Sequence, residues 1–128
     1  MDKQIERGLK TLFLVSFIIA LFSGVMHLFL PRALGSMEGW PVRDVPAWRL
    51  IGAAMVSLAA SSWLCFRATG WEKVKIVVQT DIVFSVVAGL VMLWGLLFRE
   101  IPVGGWGDFV IFVGFAASFV VFYWRSRA

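Results

Sequence analysis

The fold class follows from TLFLVSFIIALFSGVMHLFL, which is residues 11–30 of the chain. These 20 residues carry no charge, and 15 of them are apolar. A helix needs about 20 such residues to cross about 30 Å of hydrocarbon, so the stretch predicts a first membrane span. The bases Lys3, Arg7 and Lys10 before it and the small residues 33–35 after it also fit a cleaved signal peptide. We favour the span, because the run is longer than a typical signal core and further apolar runs follow.

Three more apolar runs complete the pattern. The four predicted spans cover residues 11–30, 47–66, 76–98 and 108–124. Because the connections are short, consecutive spans must cross in opposite directions. The chain is therefore expected to be all-α, an integral membrane antiparallel four-helix bundle, with residues 1–128 forming a single domain. The longest connection, residues 31–46, is expected to be an external loop that is at least partly ordered.

The composition of the whole chain agrees with a membrane protein. Of the 128 residues, 60% are hydrophobic and 16% are charged, against about 45–50% and about 25% in soluble domains. Cys65 is the single cysteine, which excludes an intramolecular disulfide, a thiol redox pair and a multi-thiolate zinc site. His27 is the single histidine, so we expect neither a metal site nor a cofactor such as haem.

The basic residues are divided unevenly between the two ends of the predicted bundle. Eight lie at the end that holds both termini, and four lie at the opposite end. The larger group is Lys3, Arg7, Lys10, Arg67, Lys73, Lys75, Arg125 and Arg127. Because cytoplasmic loops carry the excess of Lys and Arg, the sequence predicts a multi-pass protein of the cell membrane with both termini in the cytoplasm.

Small and polar side chains recur at helical spacing along one face of each span. The faces are Ser16, Ala20, Ser23, Gly24 and His27 in the first span; Arg49, Ala53, Ser57, Ala60 and Ser61 in the second; Asp81, Ser85, Ala88, Gly89 and Met92 in the third; and Gly107, Gly114, Ala117 and Ser118 in the fourth. Small residues let helices approach closely in lipid, so we expect these faces to pack together. Four polar residues lie at a similar depth from the end that holds both termini. They are expected to form an inner polar layer of Ser16, Ser61, Asp81 and Ser118.

Asp81 is the most informative single residue, because an ionisable group inside a span is costly and by default suggests a functional site. Two structural interpretations compete with that one. If the membrane helix begins near Thr80, Asp81 caps the helix or lies in its first turn. Alternatively, Asp81 forms an internal ion pair with Arg67, Lys75 or Lys10. Of the three interpretations, the sequence favours the cap.

His27 and Arg49 lie near the other end of the bundle, and four acids occur in the adjoining loops. Together with His27 and Arg49, these acids are expected to form an outer charged cluster; they are Glu38, Asp44, Glu100 and Asp108. A guanidinium that faces a cavity binds a carboxylate, phosphate or quinone oxygen, with the imidazole as a second donor. The alternative is that Arg49 reaches the lipid headgroups or pairs with a loop acid. His27, Arg49 and Asp81 are the candidate ligand-binding residues, and no catalytic residue is assigned.

The second span begins with AWRLIGAA, residues 47–54. With this start and its four spans, the chain resembles the small bacterial DoxX-like four-helix membrane proteins over residues 9–124. Some relatives in that group look like subunits of membrane oxidoreductases that pass electrons to quinone. The resemblance therefore implies a lipophilic ligand such as quinone, and it carries over no catalytic residue.

The sequence predicts a small non-enzymatic membrane protein, either a subunit of or accessory to a larger membrane complex, or a binder of a lipophilic small ligand. The alternative is a proton- or ion-coupled small transporter that uses Asp81. An enzyme acting alone is disfavoured, because no pair of nucleophile and base stands out. Expected partners are membrane lipids, further copies of the chain or a larger complex. Nucleic acid is not expected, because the bases are few and lie beside the spans.

Overall fold

The computed structural model describes residues 3–127 and contains five α-helices in that range. They are α1 (Lys3–Phe29), α2 (Pro31–Glu38), α3 (Val45–Arg67), α4 (Trp71–Leu97) and α5 (Gly105–Arg127). All except α2 are long and apolar enough to cross a membrane. The prediction of an all-α bundle with four spans is confirmed, and the chain is a multi-pass membrane protein. The outermost residues of the predicted 1–128 domain lie outside the described range.

The long helices extend beyond the predicted spans. α1 begins at Lys3 rather than near residue 11, and α4 begins at Trp71 rather than near residue 76. Hydropathy marks the part of a helix that lies in hydrocarbon, whereas the helical backbone continues through the charged residues at the interface. This difference decides the position of Asp81, as described below.

The short helix α2 occupies half of the predicted external loop. Pro31 lies in its first turn, where the missing N–H costs nothing. The helix ends at Gly39, whose φ of 71° places it in the left-handed region. There Gly39 N–H donates to the Ser36 carbonyl (3.3 Å), and Trp40 N–H donates to the Gly35 carbonyl (2.7 Å). This is the glycine-terminated end common to many helices, and it turns the chain back toward α3.

The bundle consists of two helix pairs, with α1 packed along α3 and α4 packed along α5. Gly24 on α1 and Gly52 on α3 bring their backbones into contact. A Cβ at Gly52 would lie 2.9 Å from the Gly24 carbonyl oxygen, and a Cβ at Gly24 would lie 3.1 Å from the Gly52 carbonyl oxygen. A Cβ at Gly52 would force the backbones apart, and one at Gly24 would require its neighbours on α3 to shift, so this crossing favours glycine on both helices.

One buried cluster joins the two pairs at the end of the bundle that holds both termini. Its members are Leu9, Phe13, Cys65, Val74, Val78 and Phe119, and all four long helices contribute. The rings of Phe13 and Phe119 lie 5.7 Å apart across the junction. The cluster thus holds the two pairs together near the end with both termini. Toward the α2 end, the space between the pairs is less tightly packed.

The predicted packing faces are confirmed on two helices and wrong on two. Ala20 and Gly24 on α1 are buried, as are Ser85 and Gly89 on α4. On α3 the buried residues are Gly52, Ala59, Ser62 and Cys65, whereas Arg49, Ala53, Ser57 and Ala60 are exposed. On α5, Gly107 and Gly114 have open space around them, and Phe119 is buried instead. In lipid both sides of a helix are apolar, so small residues alone do not identify the packed side.

Candidate functional site

A cavity of about 470 Å³ lies between the two helix pairs, beyond the buried cluster. All five helices contribute to its lining, and most of the lining side chains are apolar. The polar and acidic ones are Ser16, Ser23, Glu38, Asp81, Ser85 and Asp108. A volume of 300–1,000 Å³ with mostly apolar walls and a few polar groups is typical of small-molecule sites. We refer to this space as the central cavity.

Helix α2 contributes Leu34 and Glu38 to one end of the central cavity. Its C-terminus also touches the connection between α4 and α5, because a Cβ at Gly104 would lie 2.7 Å from the Glu38 carbonyl oxygen. The helix packs on α1 and α3 as well. α2 therefore bridges the two pairs at the end where the buried cluster does not hold them together.

Asp81 lies in the interior of α4 rather than at its start. The helix runs from Trp71 to Leu97, and Gly70 occupies its N-cap position. The interpretation of Asp81 as a cap is therefore wrong, because the helix continues through the interfacial residues before it. Asp81 lines the central cavity.

One carboxylate oxygen of Asp81 lacks a partner. Within residues 3–127, Oδ2 of Asp81 is buried and has no hydrogen-bond partner, so none of the proposed bases Arg67, Lys75 and Lys10 bonds to this atom. A buried polar atom without a partner costs free energy, about 1–3 kcal/mol and more for a charged group. The cavity wall thus presents an acceptor that a bound molecule is able to satisfy.

Two serines share the wall of the central cavity with Asp81. Ser85 follows one turn later on α4, is buried and faces the cavity. Ser16 on α1 also lines the cavity, and its Oγ lies 3.0 Å from Oγ of Ser62 on α3. The expected inner polar layer therefore exists in part, with Ser62 in the place predicted for Ser61. Ser118 does not line the cavity.

The α2 end of the cavity carries two further acids, Glu38 and Asp108. Burial raises the pKa of the Glu38 carboxyl above its ordinary value. The neighbouring Asp108 carboxylate raises that pKa further, whereas the nearby His27 lowers it. These three side chains form one electrostatic group, which the sequence predicted as part of the outer charged cluster.

The ring of His27 is fixed between α1 and α3. Its Nδ1 lies 2.7 Å from the carbonyl oxygen of Ser23, and the ring stacks on Trp48 with centroids 5.4 Å apart. A carbonyl oxygen only accepts, so Nδ1 carries the hydrogen and donates it. His27 does not line the central cavity, but it lies near enough to Glu38 to lower the pKa of that carboxyl.

Arg49 is exposed and does not line the central cavity. The buried residues of α3 lie on a different side of the helix from the predicted face, which leaves Arg49 exposed. Asp44, also expected in the outer cluster, caps α3 by accepting from Ala47 N–H at 3.1 Å. Of the three candidate ligand-binding residues, the structure places only Asp81 in the cavity wall. The binding role of His27 and Arg49 stays a prediction.

Over residues 3–127, no three His, Cys, Asp or Glu side chains lie close enough together to hold a metal ion. Cys65 is buried in the cluster that joins the helix pairs.

No protein-family model, curated protein sequence or solved structure matches this chain. The resemblance to DoxX-like proteins stays a prediction.

Proposed function

We propose that this protein binds a lipophilic small molecule in the central cavity and acts as a binding protein rather than as an enzyme. The observation that carries the proposal is the buried, unpartnered Oδ2 of Asp81 in the wall of a cavity of about 470 Å³ with mostly apolar lining. A carboxylate oxygen accepts hydrogen bonds, so the favoured ligand places a donor there and an apolar body against the walls.

The source of affinity differs from that of a soluble protein. A lipophilic molecule in the bilayer is already surrounded by apolar chains, so transfer into an apolar cavity gains little from the hydrophobic effect. The gain comes from close packing and from a hydrogen bond to Oδ2 of Asp81, which is buried and otherwise without a partner. A quinol hydroxyl donates to a carboxylate, whereas a quinone carbonyl does not. The proposal therefore favours quinol over quinone as a ligand.

A cavity-filling substitution tests this proposal. We choose the neutral alcohol 1-adamantanol as the probe, because it combines a compact apolar body with one hydroxyl donor. Ser85→Leu fills the cavity next to Asp81, and Ser57→Leu makes the same change on an exposed face of α3. In micelles of an uncharged detergent, we expect saturable binding to the parent and to Ser57→Leu, and at least about tenfold weaker binding to Ser85→Leu. Equal uptake by all three proteins contradicts the proposal.

The second candidate function is a proton- or ion-coupled small transporter. It is favoured by the placement of carboxylates at both ends of one cavity, with Asp81 at the end near the buried cluster and Glu38 with Asp108 at the α2 end. Vesicles that contain the protein and an internal pH dye test it. Proton uptake that disappears in Asp81→Asn, with unchanged thermal stability, supports transport, and the absence of uptake by the parent protein contradicts it.

A role as a subunit of a larger membrane complex, or as a self-associating protein, remains compatible with ligand binding. Purification from native membrane under mild conditions tests it. Stoichiometric co-purification of other chains supports the complex, and a single chain that elutes as a monomer contradicts it.

A further inference from the structure

The charge of the cavity wall is entirely of one sign. Among residues 3–127, 18 line the central cavity, and three of them are acids while none is a Lys, Arg or His. The three acids are Glu38, Asp81 and Asp108. A carboxylate that is shielded from water is stabilised by a cation placed against it, and apolar walls strengthen that attraction. The wall is thus complementary to a positively charged molecule.

Of the three acids, Asp81 is the one available to bind a positively charged molecule. Asp108 lies near enough to raise the pKa of Glu38, and His27 lies near both of these acids. Asp81 receives no corresponding partner at Oδ2, although this atom is buried. Phe84 and Ser85 lie about one turn from it on α4, and the same cavity wall also contains Ser16 and Phe119. A head group at Asp81 therefore meets the carboxyl oxygen Oδ2 and, one turn away on α4, the Ser85 hydroxyl.

We propose that the ligand of the central cavity is a lipophilic amine, with its protonated nitrogen donating to Oδ2 of Asp81 and its apolar body lying against the Phe and Ile side chains. This inference rests on the proposed function and specifies its ligand class. A protonated amine supplies the positive charge and the hydrogen-bond donor that Asp81 lacks. A quinol or another neutral donor satisfies only the hydrogen bond, and an anion is repelled by all three acids.

The test compares three probes that share one apolar cage: 1-adamantylamine, 1-adamantanol and 1-adamantanecarboxylate. They are respectively a cation, a neutral donor and an anion at pH 7. Binding is measured by equilibrium dialysis in micelles of an uncharged detergent, and the signal with Ser85→Leu is subtracted as the background outside the cavity. For the parent protein we expect the amine to bind at least about tenfold more tightly than the alcohol, and the carboxylate to show no saturable binding.

Substitution of Asp81 alone tests whether its charge causes the preference for the amine. Asp81→Asn keeps the shape of the side chain and removes its charge, so the amine should bind about as weakly as the alcohol. Asp44→Asn is the matched control, because it removes an acid that caps α3 outside the cavity, and asparagine caps equally well. The amine affinity of Asp44→Asn should equal that of the parent.

The outcomes separate the two proposals. If the alcohol binds saturably and the amine binds no more tightly, the ligand class is wrong and the binding function stands. An amine preference that persists in Asp81→Asn also overturns the assignment to Asp81. If none of the three probes binds the parent above the Ser85→Leu background, the proposed function itself fails. Should Asp81→Asn not fold, the ranking of the three probes on the parent protein decides the ligand class.

Discussion

Ser16 on α1 and Ser62 on α3 place their hydroxyl oxygens 3.0 Å apart, where the first helix pair meets the central cavity. Either hydroxyl is able to donate to the other. Ser62 is almost completely buried, with 2% of its surface exposed. Its hydrogen bond to Ser16 is therefore a partly buried contact between α1 and α3. The bond fixes the rotation of α3 against α1, and the neighbouring Ser61 lies on a different side of the helix.

The first prediction concerns this hydrogen bond. Ser62→Ala should lower the free energy of unfolding by about 0.6 kcal/mol and by no more than about 1.7 kcal/mol, the average and the maximum measured for hydrogen bonds between membrane helices. The double variant Ser16→Ala/Ser62→Ala should cost little more than either single change, because the first substitution already removes the bond. Reversible unfolding in mixed micelles measures both. Ser61→Ala is the control, and a cost at Ser61 that equals or exceeds the cost at Ser62 would contradict the observed rotation of α3.

The second prediction concerns the glycine contact between α1 and α3. Gly52→Ala places a Cβ 2.9 Å from the Gly24 carbonyl oxygen, so the helices must separate. We expect a loss of about 1–3 kcal/mol, the usual cost of overpacking. Gly114→Ala on α5 meets nothing within 4 Å and should be neutral or stabilising by up to about 1 kcal/mol, because alanine favours helix. Equal destabilisation by the two changes would argue against the close approach.

The third prediction is a pH dependence at Glu38, which lies on α2 outside the spans. Burial and the Asp108 carboxylate raise the pKa of Glu38 in the folded state, against a smaller lowering by His27. The folded state therefore holds this proton more tightly than the unfolded state, and Glu38 loses stabilising effect as pH rises through its folded pKa. Glu38→Gln should be more stable than the parent near pH 8, and the advantage should shrink as pH falls toward about 4.

Thermal unfolding of both proteins across that pH range provides the measurement. The difference between the parent and Glu38→Gln isolates the contribution of Glu38 from that of the other acids. A difference that stays constant with pH, or that grows as pH falls, would show that Glu38 is not the group responsible.

The fourth prediction is the orientation, which the eight-to-four distribution of bases suggests. Cys65 is buried and is uninformative as a label site, so the test begins from Cys65→Ala with one new cysteine at a time. An impermeant thiol reagent should label Ser36→Cys and Val103→Cys in intact cells, and Thr69→Cys only after permeabilisation. Val103 is 81% exposed, whereas the neighbouring Gly105 is buried and unsuitable. Labelling of Thr69→Cys alone in intact cells would reverse the orientation.

The sequence predicts the four spans well because a run of about 20 mostly apolar residues with at most one charge is typical of a membrane-spanning helix. It also identifies the packed sides of α1 and α4, where small residues such as Gly24 and Gly89 face a neighbouring helix. The same signal fails on α3, since Ser61 and Ser62 are adjacent and equally polar. Only contact with Ser16 selects between them, and that contact depends on two helices at once.

Two features of the site lie beyond what local sequence determines. Residues 31–38 are too few to form a stable helix alone, so α2 depends on its contacts with α1, α3 and Gly104. As a result, the sequence places Glu38 in a loop rather than in the cavity wall. The sequence also misplaces Asp81 relative to its helix, because hydropathy falls several residues before the N-terminus of α4 is reached. The acid then resembles a cap, although α4 begins ten residues earlier.

The central claim, that a lipophilic amine occupies the cavity between the helix pairs, is tested most directly by photo-crosslinking. An aminoadamantane that carries an alkyl diazirine on its cage is irradiated with the protein, and the labelled residues are identified by mass spectrometry. We predict adducts on cavity residues such as Leu58, Phe112 and Phe115, which excess 1-adamantylamine suppresses. Adducts that concentrate on exposed residues such as Leu90 and Val91 and persist in the presence of excess amine would contradict the account.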